Sequence, residues 1–183
     1  LFLGPIRAII GIALFIILCS FSAGFRWLQA RVGIPRKYFK TFLLRIVQIG
    51  FRCLFLAFGH LYIRGKGEID KEARVVITNH TCFHDAMIIS VCRDVSVVSK
   101  IEFERYFKWL FDIVDPIYVR RDVSGGQTKL IKEHIDNKDL LPILIFPEGT
   151  RTNGDILLKF HRSPFLSEYK VQPMLIRYWM PLV

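Results

Sequence analysis

His80 and Asp85 stand five residues apart in Asn79-His80-Thr81-Cys82-Phe83-His84-Asp85, and about sixty residues later comes Phe146-Pro147-Glu148-Gly149-Thr150-Arg151. A histidine that can share one ring nitrogen with a carboxylate keeps the other free as a general base toward a hydroxyl. An arginine fork beside a glycine and a threonine can hold a phosphate, because the guanidinium pairs two oxygens, the glycine lets backbone approach closely, and the hydroxyl donates. Together the two segments read as parts for activating a hydroxyl on a phosphate-bearing molecule. Glu148 is out of place beside a phosphate unless it pairs with Arg151 or bonds a substrate hydroxyl.

Two other residues compete for the chemistry of the first segment. Cys82 could serve as a nucleophile and would imply a covalent acyl-enzyme. His84 could serve as the base, but it adjoins Asp85 in sequence, and adjacent side chains on a helix or strand point apart.

These residues work only if the backbone brings them together. Five positions on a regular helix are about 140° apart, so His80 and Asp85 can meet only if His80 ends a strand and Asp85 opens the helix after a turn. The sequence supports that arrangement. Short, β-branched apolar runs at 61–64, 74–78, 95–99, 116–120, 142–146 and 171–178 predict strands, and 85–92, 102–114 and 124–137 predict helices, the last with Ser124 as N-cap. Alternation of this kind predicts an α/β fold with a mainly parallel sheet flanked by helices. His80 and Glu148 to Arg151 then fall at the C-terminal ends of two strands, where open α/β sheets usually bind ligands.

The charge is divided unevenly. The chain of 183 residues carries a formal +10, yet residues 1–67 hold ten Lys or Arg and no acid, while residues 68–183 are balanced. That balance disfavours a nucleic-acid-binding module. The basic third is also the most apolar. Ala8 to Phe25 is a run of eighteen residues without a charge, close to the ~20 needed to span a bilayer. A retained membrane helix is expected rather than a cleaved signal or a buried core helix, since no Ala-x-Ala-like cleavage site follows. Arg7 alone precedes the run and five cations follow it, so the remainder is expected on the cytosolic side. Residues 42–59 carry Arg45, Gln48 and Arg52 on one helical face, suiting a helix lying in the interface better than a second span, with an amphipathic helix packed on the soluble domain as the alternative. Residues 1–59 are thus expected as membrane anchor and interfacial helix, and 60–183 as a catalytic domain that could be truncated at its C-terminus. The chain begins with Leu rather than Met, which would place the true N-terminus upstream. The four cysteines form no C-x-x-C pair, which argues against a zinc site or a disulfide framework.

The motifs resemble those of the glycerolipid acyltransferases. His80 and Asp85 match the family's H-x-x-x-x-D, and Phe146 to Arg151 match its F-P-E-G-T-R. Tyr118-Val119-Arg120-Arg121 is similar to the segment between them, carried over to Tyr118 and Arg121, and Val171-Gln172-Pro173-Met174 to the last, carried over to Pro173. Lys100 stands where these enzymes often place a lysine. The likeness covers about residues 60–178 and is greatest to lysophosphatidylcholine and lysophosphatidylethanolamine acyltransferases. There are departures: Cys82 replaces a common Ser, and Phe160-His161-Arg162-Ser163-Pro164-Phe165 replaces F-K-x-G-A-F.

The resemblance implies acyl transfer from acyl-CoA to a lysophospholipid hydroxyl. His80 would act as base and Asp85 would orient it. Glu148, Gly149, Thr150, Arg151 and Arg121 would bind phosphate, and Lys100 phosphate or CoA. It implies no metal and no cofactor beyond acyl-CoA as co-substrate. Lysophosphatidic acid or glycerol 3-phosphate are the alternative acceptors, and a non-catalytic lipid-binding protein is the alternative of another class. The bilayer is the expected partner, at the endoplasmic reticulum or Golgi. Phe103, Tyr106, Phe107, Trp109 and Phe111 could line an acyl groove, although aromatics at helical spacing more often form core.

Overall fold

The computed structural model describes residues 3–178 except positions 34, 36, 60, 61, 103, 106, 107, 109–111, 121–125 and 167. The chain divides into two compact units. One comprises Leu1–Gly67, Met87–Asp94 and Glu102–Val114, and the other Glu68–Ala86, Val95–Ile101 and Asp115–Val183.

The first unit is dominated by two long helices, α1 (Leu3–Val32) and α2 (Lys37–Phe58). Helix α1 stops where Gly33 adopts φ 74° and returns its N–H to the Gln29 carbonyl at 3.0 Å. The chain then doubles back. Phe15 stacks on Phe51 and Phe25 meets Phe39 and Phe42, so the two helices run antiparallel. Gly11 permits their closest approach: a Cβ there would lie 2.6 Å from the Cys53 carbonyl oxygen and 2.7 Å from the Ala57 Cβ. Helix α2 buries Leu43, Leu44, Val47, Phe51 and Phe55, a stripe at helical spacing, whereas much of the apolar surface of α1 is exposed. Gly4–Val32 and Phe39–Phe58 are each long and apolar enough to cross a membrane.

Of the cationic stripe on α2, Arg45 and Gln48 have protein partners within the same unit. The Gln48 amide donates to the Ser90 carbonyl and to Asp94, both at 2.7 Å, and Arg45 donates to Gln48 at 2.6 Å.

The second unit is built on five parallel strands, β1 (Val75–Thr78), β2 (Ser96–Lys100), β3 (Ile117–Val119), β4 (Ile143–Ile145) and β5 (Val171–Met174), in the order β3-β2-β4-β1-β5. Val75-Val76-Ile77 and Ile143-Leu144-Ile145 are unbroken apolar runs, as expected for central strands of a parallel sheet. Their core side chains pack with Ile117, Val119 and, from helix α4 (Gln127–Asp136), Ile131 and Ile135. Arg74 fixes the base of this core. Its guanidinium donates to the carbonyls of Leu140 at 2.8 Å and Asn137 at 2.7 Å, neutralising the C-terminal end of α4.

The expected parallel α/β sheet is present, and helix α3 (Asp85–Cys92) begins and ends where the sequence places it. Three local expectations change. Residues 62–64 form no strand, none of their side chains being buried, and Leu61, the first residue of that expected strand, lies outside the described residues. Strand β5 ends at Met174 rather than reaching Tyr178. Helix α4 starts after Gly126 with no side-chain cap, and Ser124 lies outside the described residues. Within 102–114 the described structure ends in a 3₁₀ turn at Asp112–Val114, and the five aromatics considered for an acyl groove lie outside the described residues.

Candidate active site

Ile77 is in register with Ile145, so the segments that follow β1 and β4 emerge side by side at one sheet edge. Two contacts join them. The Thr152 N–H donates to the His80 carbonyl at 2.9 Å, and the His80 imidazole stacks on the Phe146 ring, with centroids 3.9 Å apart and 19° between planes. His80, Asp85, Glu148, Gly149, Thr150 and Arg151 therefore belong to one neighbourhood.

His80 leaves the end of β1 and Asp85 opens α3, and the intervening turn brings Nδ1 of His80 to 3.0 Å from Asp85 Oδ2. The same oxygen accepts the N–H groups of Thr81 at 2.7 Å and Cys82 at 2.8 Å, while Oδ1 accepts the Tyr178 hydroxyl at 2.5 Å. Asp85 has no exposed surface, whereas part of the His80 side chain reaches solvent. Burial alone would push the Asp85 carboxyl up. Hydrogen bonds from His80, the Cys82 N–H, Tyr178 and the Thr81 N–H outweigh it and hold the carboxyl below its ordinary value. An ionised Asp85 only accepts, so the shared proton resides on His80 Nδ1, and Nε2 is the ring nitrogen left outside the pair. The Tyr178 hydroxyl is pushed far up, by burial and then by its bond to Asp85, and remains a donor.

The second segment makes a tight turn. The Gly149 N–H donates to the Phe146 carbonyl at 3.0 Å with Pro147 at the second position, and Gly149 takes φ 69°. His161 packs into the space a side chain would need: a Cβ on Gly149 would sit 2.7 Å from His161 Nε2. Glu148 turns inward and is buried, accepting the Leu158 N–H at 3.3 Å. The sequence left it to pair with Arg151 or a substrate hydroxyl; its partner here is the returning backbone. Thr150 and Arg151 are exposed, and among the described residues nothing pairs with Arg151, whose fork is open to an anion.

Lys100 ends β2 with its backbone in register with Val119, and its side chain lies outside the described residues, as does all of Arg121. Cys82 and His84, the competing nucleophile and base, contact each other at 3.1 Å between Sγ and Nδ1. Sequence reasoning missed Tyr178 and Asn79. The Asn79 side chain donates to the Ile176 carbonyl at 3.0 Å and accepts the Ile176 N–H at 2.9 Å, clipping the end of β1 to the chain after β5 and thereby placing Tyr178 on Asp85. The position of Asn79 beside His80 was a signal. Tyr178 gave none, being 93 residues from its partner.

Comparison with known proteins finds similar sequences. The chain is 28% identical over 152 residues to the lysophospholipid acyltransferase LPEAT2 of Arabidopsis thaliana, covering 79% of this chain and 28% of that protein. It is 32% identical over 148 residues to the lysophospholipid acyltransferase LPCAT4 of Xenopus tropicalis, covering 76% and 28%. It is 26% identical over 145 residues to a lipid droplet-regulating VLDL assembly factor AUP1 homolog of Caenorhabditis elegans, covering 78% and 35%. The chain thus spans about a third or less of these relatives' length. No solved structure matches. The acyltransferase family model matches residues 60–177, which takes in β1 to β5 and every residue of the His80–Asp85 and Pro147–Arg151 segments, and the chain belongs to that family.

Proposed function

We propose that this protein is a membrane-bound O-acyltransferase that moves a fatty acyl group from acyl-CoA to the free hydroxyl of a lysophospholipid. The observation that carries the reading is the 3.0 Å contact between His80 Nδ1 and an Asp85 carboxylate held ionised by four donors. His80 Nε2 takes the acceptor's hydroxyl proton as that oxygen attacks the thioester carbonyl. Asp85 stabilises the imidazolium that forms. The tetrahedral intermediate collapses by breaking the C–S bond, CoA leaves as its thiol with the proton returned by His80, and the diacyl phospholipid remains. Arg151 and Thr150, exposed beside this pair, bind the acceptor's phosphate, with Gly149 shaping the turn and Glu148 holding the loop behind it. Arg121 and Lys100 contribute cations toward phosphate or CoA. Lysophospholipid acyltransferases among the relatives favour that acceptor over lysophosphatidic acid or glycerol 3-phosphate. The two apolar helices support a membrane location, proposed as the endoplasmic reticulum or Golgi with the sheet unit facing the cytosol.

The test uses purified protein, labelled acyl-CoA and a panel of lysophospholipids, lysophosphatidic acid and glycerol 3-phosphate. Label is expected in a diacyl phospholipid, and to be lost with His80→Ala. Full transfer by His80→Ala would overturn the mechanism, and loss with Cys82→Ala alone would favour a covalent acyl-cysteine. Because one relative is named as an assembly factor, a non-catalytic lipid-binding role is the second reading. Absence of transfer to every acceptor, with lipid binding retained, would select it.

A further inference from the structure

After the Arg151 turn the chain forms a loop whose two most prominent side chains are apolar. Ile156 is 64% and Leu157 76% exposed, with Phe160 partly exposed beside them in sequence. The backbone that presents them is held in place. The Thr152 N–H donates to the His80 carbonyl, the Gly154 N–H to Thr152 Oγ1 at 3.3 Å, the Asp155 N–H to Asn153 Oδ1 at 3.2 Å, and the Leu158 N–H to buried Glu148. These four N–H groups, of Thr152, Gly154, Asp155 and Leu158, are satisfied within the protein, which lowers the cost of bringing the flanks of the apolar pair to a medium that offers no hydrogen bonds. Lys159 and Arg162 follow the apolar pair, are exposed, and have no partner among the described residues. Asp155, the one carboxylate in the loop, is engaged by the Asn153 amide at 2.6 Å.

Apolar tips next to unpaired cations complement a lipid surface, where the tips enter the acyl boundary and the cations meet anionic headgroups. A protein partner fits less well, because two aliphatic tips and a ring edge fall far short of the roughly 1,200 Å² that stable interfaces bury. We propose that residues 152–162 form a membrane-contact loop, with Ile156 and Leu157 inserted at the acyl boundary and Lys159 and Arg162 on anionic headgroups. This assignment rests on the membrane location proposed above. It goes beyond it by giving the sheet unit its own hold on the bilayer, directly after Arg151, so that an acceptor phosphate is met at headgroup level.

The experiment takes the full chain reconstituted in phosphatidylcholine vesicles, with and without phosphatidylserine, doped with a photoactivatable diether phospholipid that is not a product of acyl transfer. Peptide mapping after illumination should find lipid adducts within 152–162 as well as on α1 and α2. Adduct yield in the loop should rise several-fold with phosphatidylserine and fall with added salt. Ile156→Asp combined with Leu157→Asp should abolish the loop adducts, spare those on the helices, and leave transfer to a short-chain water-soluble acceptor unchanged. Adducts confined to the helices would overturn the proposal. Displacement of the loop adducts by excess soluble lysophospholipid would also overturn it, by assigning the contact to the acceptor site. No turnover is needed for the readout, so an inactive protein that still gives loop adducts would sink the enzymatic reading and leave the membrane contact standing.

Discussion

Ile9 and Ile17 of α1 are 69% and 61% exposed, whereas Ile143 and Ile135 of the sheet unit have almost no exposed surface. The two regions draw on the same aliphatic residues and dispose of them in opposite ways. In the sheet unit the apolar side chains face one another, and Asp85, a charged group that remains inside, is fully engaged. In the helical pair the inner face carries Cys19, Ser22 and Gln29 from α1 while isoleucines point outward. Such an inversion suits a helix whose surroundings are apolar, because burying aliphatic area against a partner helix then gains little and small residues permit close approach. Helix α1 and the sheet core thus dispose of the same residue types in opposite ways.

Substitutions can break this contrast at either end. The largest effect is expected in the sheet unit, where His80→Ala should lower acyl transfer by about 10²–10⁴-fold with the melting temperature little changed, as read by radiolabel transfer and calorimetry. Asp85→Asn should lower transfer by a similar factor and also cost on the order of 3 kcal/mol of stability, since it leaves a buried constellation of donors facing a neutral amide. Its acid response carries a sign. The folded Asp85 value lies below the ordinary 3.8, so its contribution is complete above that value and is lost as pH falls through the folded one. Acid unfolding of the unaltered protein should therefore be steeper below about pH 4 than that of Asp85→Asn. Arg151→Gln should raise KM for a phosphate-bearing acceptor by about tenfold, from loss of a charge-assisted pair, with kcat changed less.

The smaller effects compare glycines. Gly11→Leu would meet backbone and Cβ of α2 and should cost about 1–3 kcal/mol of helix-pair stability, seen as earlier proteolysis between α1 and α2 in detergent. Gly149→Ala meets the tip of His161, which can turn aside, leaving chiefly the positive-φ penalty of about 1–2 kcal/mol. Repeating it on a His161→Ala background should recover only the contact part of that loss by thermal melt. Equal costs for Gly149→Ala in both backgrounds would assign the whole effect to the backbone.

What the sequence made legible was local. The apolar runs at 75–78 and 143–145 and the Asp85 start of α3 follow from periodicity and turn chemistry, and the parallel alternation places His80 and Arg151 at one edge. What it hid was set by returns of the chain. Glu148 bonds Leu158 rather than Arg151 because the loop doubles back beneath the turn, a path no spacing encodes. The end of β5 is decided by Asn79, whose side chain takes both backbone groups of Ile176. Residues 62–64 have strand-like composition but no buried side chain to anchor a strand.

The order of the strands has a consequence for how this site comes into being. Strand β1, which delivers His80, lies between β4 and β5, both of which come later in the chain. During synthesis β1 therefore waits with both edges open until residues 143–174 have emerged, and Tyr178 comes last of all to Asp85. Long-range pairing of this kind is slow and exposes sheet edges to wrong partners. The His80–Asp85 pair is short-range in sequence, but its completed form certifies that nearly the whole unit has been made and folded. A nascent chain is thus kept from presenting a finished site before its last strand is in place.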